Sequence, residues 1–391
     1  MKIKSVQIDG VGGIESLQLT FNPQMNLICG PNGIGKTTVL EILAHIFSNG
    51  STNILKRNVN SQSSYIKAEV EADGSIQHKE LKFDTFLPEK ETHLNGLNQY
   101  ASWLMSLKTA RTFQYQALQA VNKDSNKEIH VLWNEARNGI NLTDIKNWFV
   151  NRYLYSAHRG ALTNEQLHNF ELAKSCFSLL NKDFVFSKVD ASSNEIMINT
   201  PSGEIYYEYL SSGFKSIISI LFGIIKEVEF RFKEPRINAV DFNGVILIDE
   251  LELHLHPEWQ EKIVKVLTSA FPHAQFFAST HSPHIVQTAE PNQIIALGQA
   301  EKKVIQRELP KSGYGFQGWS VEEVLTDVMG MQDTRTEIFN ELISDFQKFI
   351  ESNDSIQASA TFEKLDSLLH PSNHLRKLLK FQLLGIKEDK E

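Results

Sequence analysis

The stretch Gly30-Pro31-Asn32-Gly33-Ile34-Gly35-Lys36-Thr37-Thr38 fits the pattern G-x-x-x-x-G-K-[ST]. Before it, the apolar segment Met25 to Cys29 reads as a buried strand; after it, Leu40, Leu43, Ala44 and Phe47 recur at helical spacing. Strand, glycine loop and helix in that order separate a phosphate loop from a chance glycine turn. The glycines let the backbone wrap an anion with its N–H groups turned inward. The residues set to line that cradle are Asn32, Gly33, Ile34, Gly35, Lys36, Thr37 and Thr38. A helix opening near Lys36 adds the positive end of its dipole. Lys36 is expected to reach the β- and γ-phosphates, and the Thr37 hydroxyl to ligate Mg²⁺. The expected ligand is a nucleoside triphosphate.

Composition narrows the setting. A chain of 391 residues with 41% hydrophobic and 22% charged residues has ample material for a core, in one large α/β body or two to three domains. No apolar run is long enough to cross a bilayer, and no signal-like segment opens the chain, so a cytoplasmic protein is expected. Two cysteines, Cys29 and Cys176, offer neither a disulfide framework nor a thiolate cluster. With a net charge of −8 there is no global basic field for nucleic acid. Contact with DNA would need a local patch such as Lys302, Lys303, Arg307 and Lys311, a pattern that is more often a solvated edge.

In chain order, Ile3, Val6 and Ile8 alternate, Gly10 to Gly13 turn, and Ile14 to Phe21 alternate again, which predicts a hairpin. Tyr65–Glu71 and Ile76–Phe83 around Asp73-Gly74 predict a second. Such hairpins beside a phosphate-loop strand would form a lobe that packs a base or ribose. From Leu94 to Phe149 the pattern reads as mostly helical, with Trp103, Leu104 and Leu107 on one face and a polar break at 121–128. Tyr153 to Ser156 reads as a strand, and helical spacing returns from Asn164 to Leu180. Phe184–Val189, Ile196–Asn199 and Ile205–Tyr209 predict a meander.

Three more stretches carry chemistry. Gly244-Val245-Ile246-Leu247-Ile248-Asp249-Glu250 is a uniformly apolar strand, as in a buried parallel sheet, ending in two carboxylates. Asp249 is placed to hold Mg²⁺ and Glu250 to orient or deprotonate the attacking water. Phe276 to His281 is another apolar strand, whose His281 could hydrogen-bond a γ-phosphate; a structural strand-capping histidine is the competing reading. Leu210-Ser211-Ser212-Gly213 precedes an apolar helix and is, by itself, an N-cap, and also what an anion site on a helix N-terminus requires. His254, His256, His281 and His284 invite a zinc reading, which wants ligands at fixed spacing and a supporting shell; with the His-x-His set beside Pro257, a metal site is the lesser reading.

Together these stretches resemble the ABC-type ATPase head: phosphate loop, signature, Asp-Glu strand, then switch histidine. The resemblance spans roughly residues 1–310, interrupted at about 90–185. Leu210 to Gly213 resembles the signature, which in that family binds the γ-phosphate held by a second subunit, so Ser211 and Gly213 are expected to reach a partner's ATP. Leu253-His254-Leu255-His256-Pro257-Glu258-Trp259-Gln260 resembles the D-loop of a branch that includes RecF-like and OLD-like ATPases and the ATPase subunits of phage-defence systems. Leu251 stands where that branch often has proline, Phe214 and Lys215 replace the polar pair after the signature glycine, and Ser156 to Arg159 occupies about the place of the Q-loop. Tyr314 to Trp319 with Asp327 to Met331 resembles the Septu and retron-associated type, in which an HNH nuclease is a separate protein.

The implied fold is α/β, an ABC-type head with a mixed sheet, an antiparallel lobe, a helical insertion and a small C-terminal helical region. Its expected parts are 1–93, 94–183, 184–310 and 311–391, the last a docking region built on a Ser320/Glu323 capping box and the stripe Ile338, Leu342, Phe346 and Phe349. The implied function is a homodimeric or higher even-numbered ATPase, with turnover slow or regulated, that uses ATP and Mg²⁺ to control a nuclease in anti-phage defence. Glu250, His281 and Lys36 are the catalytic candidates. A RecF-like DNA-clamping ATPase is the alternative, and a nucleotide-holding scaffold a third.

Overall fold

The computed structural model describes residues 1–111, 115, 117–124, 127–310 and 313–388, so Lys311 of the basic patch lies outside the described residues. The chain divides into two compact units, Met1–Gly330 and Met331–Glu391.

In the first unit, alternation builds an antiparallel lobe. β1 (Lys2–Val11) pairs with β2 (Ile14–Thr20), and Val6 faces Leu19. Its central strand opens after the lobe's first hairpin as β3 (Met25–Cys29), followed by α1 (Lys36–His45). β4 (Asn49–Thr52) comes next; then β5 (Tyr65–Ala72) and β6 (Ser75–Lys82) complete the sheet β2-β1-β5-β6. Asp73 and Gly74 join the last two with φ of 51° and 72°, as a tight hairpin turn demands. β7 (Thr92–Asn95) pairs with β4.

The segment after residue 95 departs from the helical reading. Leu104–Leu107 is a strand, β8, hydrogen-bonded in parallel to the Asp-Glu strand, β12 (Val245–Ile248). A four-residue run, apolar but for the buried Ser106, fits a strand and a helix face equally well, and the free sheet edge decides. A short 3-10 helix, Asn98–Trp103, precedes β8, and the α-helices begin later, at α2 (Ile129–Asn138) and α3 (Ile145–Ser156). Tyr153–Ser156 is therefore helix, not strand: burying Trp148, Phe149 and Arg152 in one helix outweighs the β preference of two tyrosines. Ser156 ends that helix, so the expected Q-loop position is a helix terminus.

α4 (Asn164–Leu180) starts at a Thr163/Gln166 capping box. The meander forms as β9 (Val185–Val189), β10 (Ile196–Thr200) and β11 (Gly203–Tyr206). It leads into the 20-residue α5 (Ser212–Arg231). α6 (Pro257–Ala270), β13 (Gln275–Ser279), α7 (Pro283–Thr288), β14 (Ile294–Ala300) and β15 (Lys303–Gln306) follow β12.

The central sheet has the order β15-β14-β3-β13-β12-β8 among the described residues, all parallel except the β14–β15 pair. Its side chains divide by parity. Leu27, Met105, Ile246, Ile248, Phe276 and Ala278 join one core under α3, α4, α5 and α6. Ile28, Leu104, Val245, Leu247 and Phe277 join the other, under α1 and the antiparallel lobe. On α5, Ile217, Ile218, Leu221, Phe222 and Ile225 are all buried, each contributing about 1.5–3 kcal/mol of transfer free energy. The expected α/β head with a mixed sheet, an antiparallel lobe and inserted helices is thus the fold seen.

Near its end the first unit carries α8 (Val321–Glu323), where the Ser320 and Glu323 side chains cap reciprocally as expected. The second unit is helical: α9 (Glu337–Glu351), α10 (Ser355–Leu368) and α11 (His374–Glu388) surround Phe346, Ala358, Leu365, Leu379 and Leu383. No helix among the described residues is long and apolar enough to cross a membrane.

Candidate nucleotide-binding site

Because β3, β8, β12 and β13 run parallel, their carboxyl ends share one edge of the sheet. The glycine loop, Arg111, Asp249-Glu250 and Thr280-His281 all follow those strands and emerge there.

The loop is shaped by close approach. Gly30 has φ of 141°, and a Cβ there would lie 2.3 Å from the Leu297 carbonyl oxygen, so only glycine fits. Gly35 caps α1 in the left-handed region at 107°. Lys36 is buried and its Nζ donates to the carbonyls of Gly30 and Pro31, both at 2.9 Å. Burial lowers its pKa, against the pull of Cys29, Glu252, Asp249 and Glu250. The Cys29 thiol is pushed up to about 12 by burial, which removes it as a nucleophile.

The Thr37 hydroxyl lies 3.2 Å and 3.4 Å from the two Asp249 carboxylate oxygens. Two hard oxygen donors meeting at a phosphate loop fit Mg²⁺, whose other ligands are characteristically phosphate and water. The Ser279 hydroxyl donates to Asp249 Oδ1 at 2.6 Å and accepts the Glu250 N–H at 2.7 Å. From the other side, the Asp249 N–H donates to the Leu107 carbonyl at 2.9 Å. Glu250 is half-buried and sits at φ of 50°, a conformation a non-glycine residue holds only when its surroundings enforce it.

His281 is exposed, and its backbone N–H donates to Glu252 Oε1 at 2.6 Å. Ser211 caps α5, its hydroxyl accepting the Phe214 N–H at 3.3 Å. Gly213 packs so closely that a Cβ would meet Trp259 at 3.2 Å and the His254 carbonyl at 3.4 Å. Ser216 donates to the Leu253 carbonyl, so the start of α5 is pinned to the 253–256 turn. Among the described residues no hydrogen bond joins Ser211 or Gly213 to the glycine loop. The structure thus gathers Lys36, Thr37, Asp249 and Glu250 and leaves the motif at a second location, with Ser211 and Ser212 exposed and Gly213 buried. No group of three or more His, Cys, Asp or Glu among the described residues is arranged to hold a metal.

Sequence reading missed Ser279, Glu252 and Arg111. Ser279 was signalled by a polar residue closing an apolar strand. Arg111 depends on β8, which a period of four residues cannot reveal. Glu252 carries no signal beyond its place two residues after Glu250.

Fold and site together define a phosphate-loop ATPase. Two family descriptions match, "AAA ATPase domain" over residues 1–146 and "AAA domain, putative AbiEii toxin, Type IV TA system" over residues 121–287. The chain is 44% identical to the Septu protein PtuA of Bacillus thuringiensis, over 97% of both chains. It belongs to that family. It is also 26% identical to a Septu protein PtuA of Bacillus mycoides, over 87% of this chain and 46% of that longer protein. To the "Retron Ec83 probable ATPase" of Escherichia coli it is 27% identical over 41% of its length, 31% of the relative's. Among solved structures, the SMC head domain from Thermotoga maritima aligns with 79% of this chain and 100% of its own, at 16% identity and a TM-score of 0.45.

Proposed function

We propose that the chain is an ABC-type switch ATPase that dimerises around ATP and, through its nucleotide state, controls a separate nuclease in anti-phage defence. The observation that carries the reading is the meeting of Thr37, Asp249 and Ser279 beside Lys36, while a glycine-anchored Ser211 motif stands exposed elsewhere on the same unit. A signature held away from its own loop suits a site completed by a second copy. Membership of the PtuA family supports the defence setting.

The backbone N–H groups of Asn32 to Thr38 and the α1 N-terminus hold the triphosphate. Lys36 turns from the Gly30 and Pro31 carbonyls to the β- and γ-phosphates. Mg²⁺, held by Thr37 and Asp249, would neutralise charge on the phosphates. Glu250 orients the attacking water and takes its proton, and Ser279 fixes its main chain relative to Asp249. His281 donates to the γ-phosphate, and Ser211 and Gly213 of the second copy close the far side. In the second unit, Ile338 (63% exposed), Ile356 (80%) and Phe381 (77%) offer apolar surface suited to an HNH-type nuclease partner.

The test is Glu250→Gln. Size and ATP binding persist, turnover falls by ~10²–10⁴-fold, and the variant accumulates as an ATP-bound dimer in light scattering. A monomer with undiminished turnover contradicts both the role and the dimer.

A further inference from the structure

Arg111 follows β8 at the edge where the Asp-Glu strand emerges, and it is only 3% exposed. Its Nη2 donates to the Asp249 carbonyl at 3.1 Å and to the Glu250 carbonyl at 2.6 Å. Those two peptides flank the left-handed Glu250. Its Nε and Nη1 are buried with no partner among the described residues. An arginine placed so deep, with two of its nitrogens unbonded, costs stability, since buried polar groups are expensive unless paired. A plain scaffold role would be met more cheaply by an apolar side chain, so the cost points to the turnover step.

The turn it grips is fastened from several sides. The Ser279 hydroxyl holds the Glu250 N–H and the Ser279 carbonyl the Leu251 N–H, Leu107 holds the Asp249 N–H, the Leu253 N–H reaches the Glu250 carbonyl, and Arg111 alone among these bridges the Asp249 and Glu250 carbonyls. Without Arg111 the Asp249 carbonyl loses that donor and the Glu250 carbonyl keeps only the Leu253 N–H at 3.0 Å, so the peptide between them is freer to relax toward the ordinary right-handed region. That rotation would swing the carboxylate away from the water it handles.

We infer that Arg111 is a positioning residue for hydrolysis, locking the main chain of Glu250 so that its carboxylate faces the γ-phosphate. This rests on the reading of Glu250 as the residue that handles water. The charge of Arg111 also lies in the field of Asp249, Glu252 and Glu250, beside the same carboxylates that Lys36 feels.

The experiment is a double-mutant cycle on the full chain, with steady-state turnover and titration of ATP. Arg111→Met is expected to lower kcat by about 10- to 100-fold with KM within about threefold, because a small misplacement of a reacting group is that costly. Arg111→Met combined with Glu250→Gln should turn over no more slowly than Glu250→Gln alone, since Arg111 acts through Glu250. Losses that multiply, or an Arg111→Met chain at the wild-type kcat, overturn the inference. If the Met variant does not fold, Arg111→Gln replaces it in the same cycle; its amide stops well short of where Nη2 meets both carbonyls, and a wild-type kcat there is equally fatal. A Glu250→Gln chain with undiminished turnover overturns the reading of Glu250 instead, whatever Arg111 does.

Discussion

Thr37 and Asp249, 212 residues apart in the chain, meet with 3.2 Å between hydroxyl and carboxylate. Parallel pairing of β3 with β13 and of β13 with β12 brings their strand ends to one edge and makes the meeting possible. If the pair holds Mg²⁺, Thr37→Ala should lose at least roughly tenfold of the ATP affinity that Mg²⁺ adds, about 1.4 kcal/mol. Titrations with and without chelator measure that increment. An unchanged increment would remove Thr37 from the metal site.

Ser279→Ala deletes a hydroxyl that serves Asp249 and Glu250 at once. A hydrogen bond to a charged group contributes about 1.5–3 kcal/mol, so turnover should fall by about tenfold or more while the chain still binds ATP. Wild-type turnover would mean that the Asp249-Glu250 turn holds its geometry without the bridge.

Gly30 and Gly33 both have positive φ, yet their surroundings differ. A Cβ on Gly30 collides with the Leu297 carbonyl, whereas nothing lies within 4 Å of one on Gly33. Gly30→Ala is therefore expected to abolish ATP binding and lower the melting temperature. Gly33→Ala should cost only the backbone strain, about 1–2 kcal/mol. Equal effects in calorimetry and ATP titration would contradict the steric argument.

His45, in the last turn of α1, gives the phosphate-loop helix a pH dependence. Burial lowers its pKa from 6.5 to about 4, helped by Lys108 and Arg137 and opposed by the Glu41 carbonyl. Its Nδ1 donates to that carbonyl at 2.7 Å, and Nε2 is buried without a partner among the described residues. The unfolded chain thus binds a proton that the folded chain refuses. This stability, about 3 kcal/mol at most, is fully present above pH 6.5 and is lost as pH falls toward 4. Urea midpoints measured from pH 7.5 to 4.5 should decline, and His45→Gln should flatten the part of the curve between 6.5 and 4. Identical slopes in the two proteins would exclude His45 as the cause.

The sequence reading was strongest where chemistry is written in short, contiguous motifs. Gly30 to Thr38 and Val245 to Glu250 announce strand, loop and edge because their apolar runs end abruptly in glycine or carboxylate. It failed where the deciding contact is distant. Leu104–Leu107 becomes a strand only because β12 offers it a free edge, and Arg111 becomes visible only once β8 is placed. Tyr153–Ser156 shows the reverse: local β preference yields to a helix whose Arg152 pairs with Glu229 inside the core. Pairing of distant elements leaves no mark in a local period.

The chain alone should not cut nucleic acid. Two-metal nuclease chemistry needs a carboxylate cluster, and the proposed site commits Asp249 and Glu250 to nucleotide. Assays of the purified chain on single-stranded DNA, duplex DNA and RNA with Mg²⁺ and Mn²⁺ should show no cleavage. Robust cleavage lost in a mutant of this chain would overturn the assignment. A chain ending at Gly330 should hydrolyse ATP yet fail to retain the nuclease partner; retention by that truncation would place docking on the first unit.

The central claim, a nucleotide site shared between two copies, is tested most directly by mixing two inactive variants. Lys36→Ala damages the glycine loop, and Ser211→Arg damages the motif offered to the other copy. Each alone should be inactive. Mixed in equal amounts, random pairing gives half mixed dimers with one intact site each, so about a quarter of the wild-type turnover should return. Normal hydrolysis by either variant alone, or a mixture as inactive as its parts, would contradict the shared site.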